Sequence, residues 1–232
     1  TVRETLEMAD ILLPNSNMEY QKLREVFGVE KPYRIVPNGV EPSFADVEKG
    51  VFEKEYGVSG YILCVGNFTS VKNQLALAEA MRDLKDIPVV FIGKKSGNHA
   101  AYYEIFRNYI KSLPHMRLLD YIPHDRLKYA YADARVHVLP SWTETTGLVN
   151  LEAALTGCNI VSTTRGYTRE FLQDHAWYCE PDSAASIREA VLAAYSAPYN
   201  SALKDRILEN YTWRKAAEQT LAAYQQLLSS RR

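Results

Sequence analysis

Two kinds of apolar pattern alternate along this chain. Short stretches that are apolar almost throughout, bounded by turn formers, predict strands buried on both faces over residues 11–13, 34–36, 61–65, 89–92, 116–119, 136–139 and 159–162. Between and after them, apolar residues recur every three or four positions. That spacing predicts amphipathic helices over 17–27, 73–84, 99–112, 125–132, 147–156, 183–194, 201–209 and 213–228. The alternation of strand and helix from 61 to 179 predicts an α/β fold, a Rossmann-like doubly wound parallel sheet with helices on both faces. Ligands of such sheets bind beyond the carboxyl ends of the strands. The loops after Val65, Ile92, Leu119 and Leu139 therefore carry the candidate chemistry. Pro37-Asn38-Gly39 is a strong turn signal, and the polar stretch after it reads as a connection between two bodies.

The loop after Leu139 is the most informative. A polar segment leads from Pro140 through Glu144 to Thr146, and a helix is predicted from Gly147 to just before Gly157. The first amide N–H groups of that helix lack intrahelical acceptors and sit at the positive end of its dipole, so a phosphate can bind there without a lysine cluster. Glu144 and Glu152 lie eight residues apart. If both were helical they would stand roughly 12 Å from each other, too far to share a proton but suited to two ends of one extended ligand. One carboxylate can accept from sugar hydroxyls and the other from a ribose diol. The bland alternative is a solvent-facing helix glutamate and an unrelated loop carboxylate.

Four neighbouring loops add to this. Gly66 directly follows a predicted strand and allows close backbone approach. Lys72, predicted at the start of the next helix, supplies a point charge suited to a departing phosphate; a lone lysine is otherwise a solvated surface charge. Gly93 and Gly166 also follow strands and favour a ligand groove. Asp120-Tyr121-Ile122-Pro123 offers backbone groups and an aromatic or aliphatic wall to a flat base.

Composition narrows the classes. The 232 residues are 47% hydrophobic and 24% charged with a net charge of -1, so bulk electrostatics attract neither nucleic acid nor an anionic membrane, and any phosphate recognition is local. Cys64, Cys158 and Cys179 are odd in number and form no CxxC pair, which predicts buried thiols in a reducing compartment. No apolar run approaches the ~20 residues of a transmembrane helix, and the N-terminus has no signal-peptide pattern, which points to the cytoplasm. The opening at Thr1, directly in a helical pattern, reads as the beginning of a fragment.

These residues together resemble the family 4 glycosyltransferases, two-domain enzymes of the GT-B arrangement that transfer a sugar from a nucleotide donor with retention of anomeric configuration. Residues 9–16 are similar to the segment closing the family's first domain, and Arg34 to Glu41 to its interdomain hinge. Residues 62–66 with Lys72 resemble its phosphate-binding loop. Glu144 to Glu152 fit its E-x7-E motif, continued by residues 153–157 and by Gly166 and Glu170. The resemblance implies that Lys72 neutralises the donor diphosphate as it departs and that Glu144 contacts the donor sugar. It implies that Glu152 binds the ribose, and that Thr146, Gly147, Leu148 and Val149 hold the phosphates and sugar. Gly66, Asn67, Gly93, Tyr121 and Ile122 would complete the donor site.

No cofactor or metal is implied, and the sequence holds no DxD motif. The substrate would be a UDP, GDP or ADP sugar, and the acceptor a glycan or lipid-linked molecule, with the whole enzyme cytoplasmic or at the inner face of a membrane. Two positions depart from the pattern. Asn67 stands where an arginine is usual, and Thr146 where many members carry an aromatic residue.

The implied organisation is 1–33 as part of an acceptor domain, 34–205 as the donor domain, and 206–232 as a helical segment crossing back. A missing N-terminal domain would leave apolar surface exposed. Two alternatives stand beside transfer: a non-catalytic sugar-nucleotide-binding module, and a GT-B sugar-nucleotide epimerase.

Overall fold

The computed structural model describes residues 1–230; residues 231 and 232, the end of the segment expected to cross back, lie outside it. Six strands form the sheet: β1 Ile62–Val65, β2 Val89–Ile92, β3 Met116–Leu119, β4 Val136–Leu139, β5 Asn159–Thr163 and β6 Trp177–Cys179. All pairings are parallel and the order is β3-β2-β1-β4-β5-β6. The chain builds outward from β1 to β3, returns to the centre at β4, and builds outward the other way. The order thus reverses between β1 and β4, and the loops after those two strands diverge there into a crevice.

Helices cover both faces because β1, β2 and β4 are wholly buried. Alternate side chains divide them between two cores. Ile62, Cys64, Val89 and Phe91 pack beneath α4 Gln74–Met81, α5 Ala100–Ile110 and α9 Ala184–Ser196. Tyr61, Leu63, Val65 and Val90 face α3 Val51–Tyr56, α6 His124–Asp133, α7 Leu148–Leu155 and α10 Ala202–Asn210. The remaining helices are α1 Val2–Met8, α2 Asn17–Phe27, α8 Thr168–Leu172 and α11 Trp213–Ser230. Cys64, Cys158 and Cys179 are buried free thiols, as expected. Among the described residues no helix is long and apolar enough to cross a membrane.

The stretches 11–13 and 34–36 are not strands of this sheet. Among the described residues they pair with each other alone, through one parallel bridge at Leu12 and Tyr33, an Arg34 N–H bond to the Leu12 carbonyl at 3.0 Å and a Val36 N–H bond to the Pro14 carbonyl at 2.9 Å. Pro14, Pro32 and Pro37 supply no N–H, so the ladder cannot extend. The sixth strand, Trp177–Cys179, is absent from the predicted set because it is three residues long and lies at an edge, with Trp177 and Tyr178 only half-buried. Helices α3 and α8 are likewise too short to show a helical period, whereas α1 lies in the helical pattern read at the start of the chain.

Two features join the N-terminal segments to this body. Glu170 on α8 accepts from the backbone N–H of Asn17 at 2.8 Å and of Met18 at 3.0 Å, capping α2 with a carboxylate. Gly39 passes so close to α11 that a Cβ on it would lie 2.2 Å from the Trp213 nitrogen. Beside this crossing, Val40 bridges to Thr212, and further along Arg34 Nε donates to Gln219 Oε1 at 2.9 Å.

A buried polar network ties the strand ends together. His137 on β4 is fully buried; its Nε2 accepts from the Val65 N–H at 3.4 Å and its Nδ1 meets Asn150 Oδ1 of α7 at 2.8 Å. Asn150 Nδ2 donates to Ser162 Oγ at 3.1 Å, which continues to Thr168 Oγ1 at 3.2 Å. The ring therefore has to be neutral with its proton on Nδ1, and burial, the largest influence, holds its pKa down at about 4 against the usual 6.5.

Because the unfolded ring titrates near 6.5, stability is complete above that pH and is lost as pH falls toward 4. The loss is on the order of 3 kcal/mol across the window. Urea midpoints should fall between pH 7 and pH 4.5. His137→Gln, which can bridge the same partners without titrating, should flatten that fall; an unchanged slope would count against this role.

Candidate active site

Lys72 and Glu144 come from the two loops that flank the β1/β4 reversal. The Lys72 ammonium pairs with Glu144 Oε1. Glu144 is 8% exposed, while the Lys72 side chain keeps 30% of its surface open. Lys72 is not in a helix. α4 begins at Gln74, after Asn73, whose φ of 60° is left-handed. Lys72 sits in the preceding turn, its N–H bonded to the Thr69 carbonyl at 3.0 Å, with its stem 3.8 Å from where a Cβ on Gly66 would be.

Three hydrogen bonds lash this turn to the neighbouring strand ends. Asn73 Nδ2 donates to the carbonyls of Pro140 at 3.1 Å and Pro181 at 2.7 Å, and the Trp142 N–H donates to the Val71 carbonyl at 2.8 Å. Glu144 is pinned from the other side: its N–H donates to the Arg165 carbonyl at 3.3 Å, and its carbonyl accepts from the Tyr167 N–H at 2.8 Å. Gly166 lies between, with φ of 98°, and a Cβ there would fall 2.0 Å from the Glu144 carbonyl oxygen. That glycine serves the close packing of the Glu144 backbone rather than lining a groove.

Helix α7 starts beyond Gly147, which caps it in the left-handed region at φ 66°. Thr146 is buried and its Oγ1 has no protein partner, as is true of Ser141 Oγ in the same loop. Leu148 and Val149 are half-buried in the first turn. Glu152 follows one turn later, 8% exposed, its Oε1 at 2.8 Å from His124 Nε2 and its Oε2 accepting from the Tyr131 hydroxyl at 3.1 Å. The two bonds fix the carboxylate and leave acceptor sites over, since a carboxylate has about four. His124 in turn packs on Phe44 with ring centroids 5.2 Å apart.

The other predicted residues meet in one place. Gly66, Asn67, Gly93, Tyr121 and Ile122 all line a cleft of about 270 Å3 at the ends of β1, β2 and β3, walled also by Val65, Ile92, Lys94 and Leu127. Gly93 is required here, because a Cβ on it would lie 2.0 Å from the Gly66 carbonyl oxygen. Asn67 is exposed at the mouth. Sequence reasoning did not find Asn73, His124, Tyr131 or Lys94. A polar residue in a left-handed N-cap position has no local signature beyond the Asn itself, and the other three depend on contacts across the fold.

The chain belongs to the glycosyl transferases group 1 family, whose profile matches residues 59–197, more than half its length. It is 27% identical over 240 residues to an uncharacterized glycosyltransferase of Methanocaldococcus jannaschii, covering 95% of this chain and 60% of the relative. It is 24% identical over 243 residues to O-antigen chain mannosyltransferase B of Escherichia coli, covering 98% of this chain and 63% of the relative. The chain therefore spans about 60% of the length of these curated relatives. The solved structure of Anabaena HepE in complex with UDP and glucose shares the fold, with a TM-score of 0.83 at 13% identity over 97% of this chain and 67% of that one.

Asn73→Gly keeps the left-handed backbone but removes both carboxamide bonds, leaving two inward-facing carbonyls short of a donor. Unfolding free energy should drop by about 1–3 kcal/mol. Asn73→Ala should drop it further by about 1 kcal/mol through backbone strain. Chemical denaturation checks both, and a wild-type midpoint in Asn73→Gly would show that the lashing bonds carry no weight.

Proposed function

We propose that this chain is the nucleotide-sugar-binding half of a retaining glycosyltransferase that passes a sugar from a nucleoside diphosphate to a glycan or lipid-linked acceptor. The observation that carries the reading is the Lys72–Glu144 pair at the β1/β4 reversal, between the α7 N-terminus and the cleft. A diphosphate lying there meets unpaired N–H groups and the helix dipole on one side and the ammonium on the other. Chain membership in a transferase family supports transfer over epimerisation. The E. coli relative named as a mannosyltransferase and the Anabaena protein bound to UDP and glucose support a nucleotide-sugar donor.

In this reading the cleft takes the base, Glu152 the ribose hydroxyls, and Thr146, Gly147, Leu148 and Val149 the phosphates and sugar. As the bond from sugar to diphosphate breaks, negative charge grows on the leaving oxygen. Lys72 then exchanges part of its contact with Glu144 for that oxygen, an interaction stronger in the transition state than in the ground state. Glu144, relieved of its cation, accepts from a hydroxyl of the donor sugar. No metal is needed for this charge balance. The acceptor is bound by a second domain, and the enzyme works in the cytoplasm or at the inner membrane face.

Calorimetry of this chain with UDP, GDP and ADP sugars tests the donor site: at least one should bind below millimolar concentration, and silence from all three would reject the reading. Lys72→Ala should weaken the binding nucleotide at least about tenfold, or about 1.4 kcal/mol. Asn67→Arg, which places a second cation at the mouth of the cleft, should strengthen it; unchanged affinity would mean that this loop does not face the diphosphate. Binding with no turnover, even when an acceptor domain is present, would instead support the non-catalytic module.

A further inference from the structure

The cleft has a pronounced division of character. Val65, Ile92, Ile122 and Leu127 line it with aliphatic side chains, and Gly66 and Gly93 line it with backbone alone, a surface suited to the faces of a flat ring. Among its lining residues Lys94 is the one that carries a charge. The Lys94 ammonium stands 3.8 Å from the centroid of the Tyr121 ring, and its backbone carbonyl is fixed by the Phe68 N–H at 3.0 Å. Its neighbour Lys95 is neutralised by Glu104 at 2.7 Å, whereas among the described residues no carboxylate pairs with Lys94. An unneutralised cation is thus held over the rim of an apolar slot by an exposed aromatic face.

Resting on the reading of this slot as the nucleobase pocket, we infer that Lys94 selects the base: the site takes a nucleoside diphosphate whose base presents a carbonyl oxygen, guanine or uracil, and rejects adenine. An ammonium offers three donors and no acceptor. Guanine presents two adjacent acceptors on one edge, O6 and N7, and uracil presents carbonyl oxygens. Adenine places an amino donor beside its N7, so part of its edge turns hydrogens toward the cation. The aliphatic walls leave the ring faces to apolar contact and the bare backbone, so the one charged group at the edge distinguishes the bases. Tyr121 narrows the ammonium's freedom and thereby sharpens the choice.

The test is calorimetry on this chain with GDP, UDP and ADP, repeated on Lys94→Met, which keeps the stem over Tyr121 and removes the charge at an exposed position. Wild type should bind GDP or UDP at least tenfold more tightly than ADP, and whichever of the two is tighter identifies the base. Lys94→Met should bring that nucleotide to within about twofold of ADP while leaving ADP unchanged. Equal wild-type affinity for ADP and the tighter keto nucleotide would overturn the inference while leaving the donor site standing. So would an equal loss for all three in the variant, which would assign Lys94 to the phosphates. Binding of none would overturn the donor-site reading itself.

Discussion

The Glu144 carboxylate is almost enclosed by protein, and an enclosed charge is costly unless it is answered. Lys72 answers it from a different loop, and the rest of the site follows from the need to bring those two groups together. The loops that carry them leave the sheet on either side of the point where strand order reverses, so the fold supplies nearness but not register. Register comes from hydrogen bonds to backbone: the Asn73 carboxamide across two carbonyls, Trp142 to Val71, and the two backbone bonds of Glu144 to Arg165 and Tyr167 on either side of Gly166. These are side-chain-to-backbone and backbone-to-backbone bonds, whose geometry is far stiffer than that of a lysine stem.

The two ends of the motif are built differently. Glu144 is placed by its main chain and is mated to a mobile cation. Glu152 is placed by its side chain, between the His124 ring and the Tyr131 hydroxyl. The first leaves the carboxylate held by one flexible side chain; the second holds an acceptor still between two rings. The neutral His137 and Asn150 bind β4 to α7, so the helix that carries Glu152 is itself anchored to the sheet centre.

Much of this was legible in the sequence because burial leaves a strong imprint. The β1 and β2 runs are apolar throughout, and β4 in all but His137, since both their faces are covered, and the loops that follow them inherit their positions at one end of the sheet. Gly66, Asn67, Gly93, Tyr121 and Ile122 were all expected at one site and share one cleft. What was not legible depends on partners distant in the chain. Glu170 caps a helix more than 150 residues away in sequence, and β6 is defined by pairing with β5 rather than by its own three residues. Lys72 was expected at the start of a helix beginning at Asn73; the helix begins one residue later, at Gln74, and the left-handed backbone of Asn73 that sets the boundary has no sequence signature of its own.

The passage of residues 34–40 beside the start of α11 has a mechanical consequence. The two lengths of chain are fastened at one end, where Gly39 meets Trp213 and Val40 meets Thr212, and again where Arg34 reaches Gln219. Displacing residues 34–40 from α11 would have to break contacts at both places, so the two segments hold each other in register.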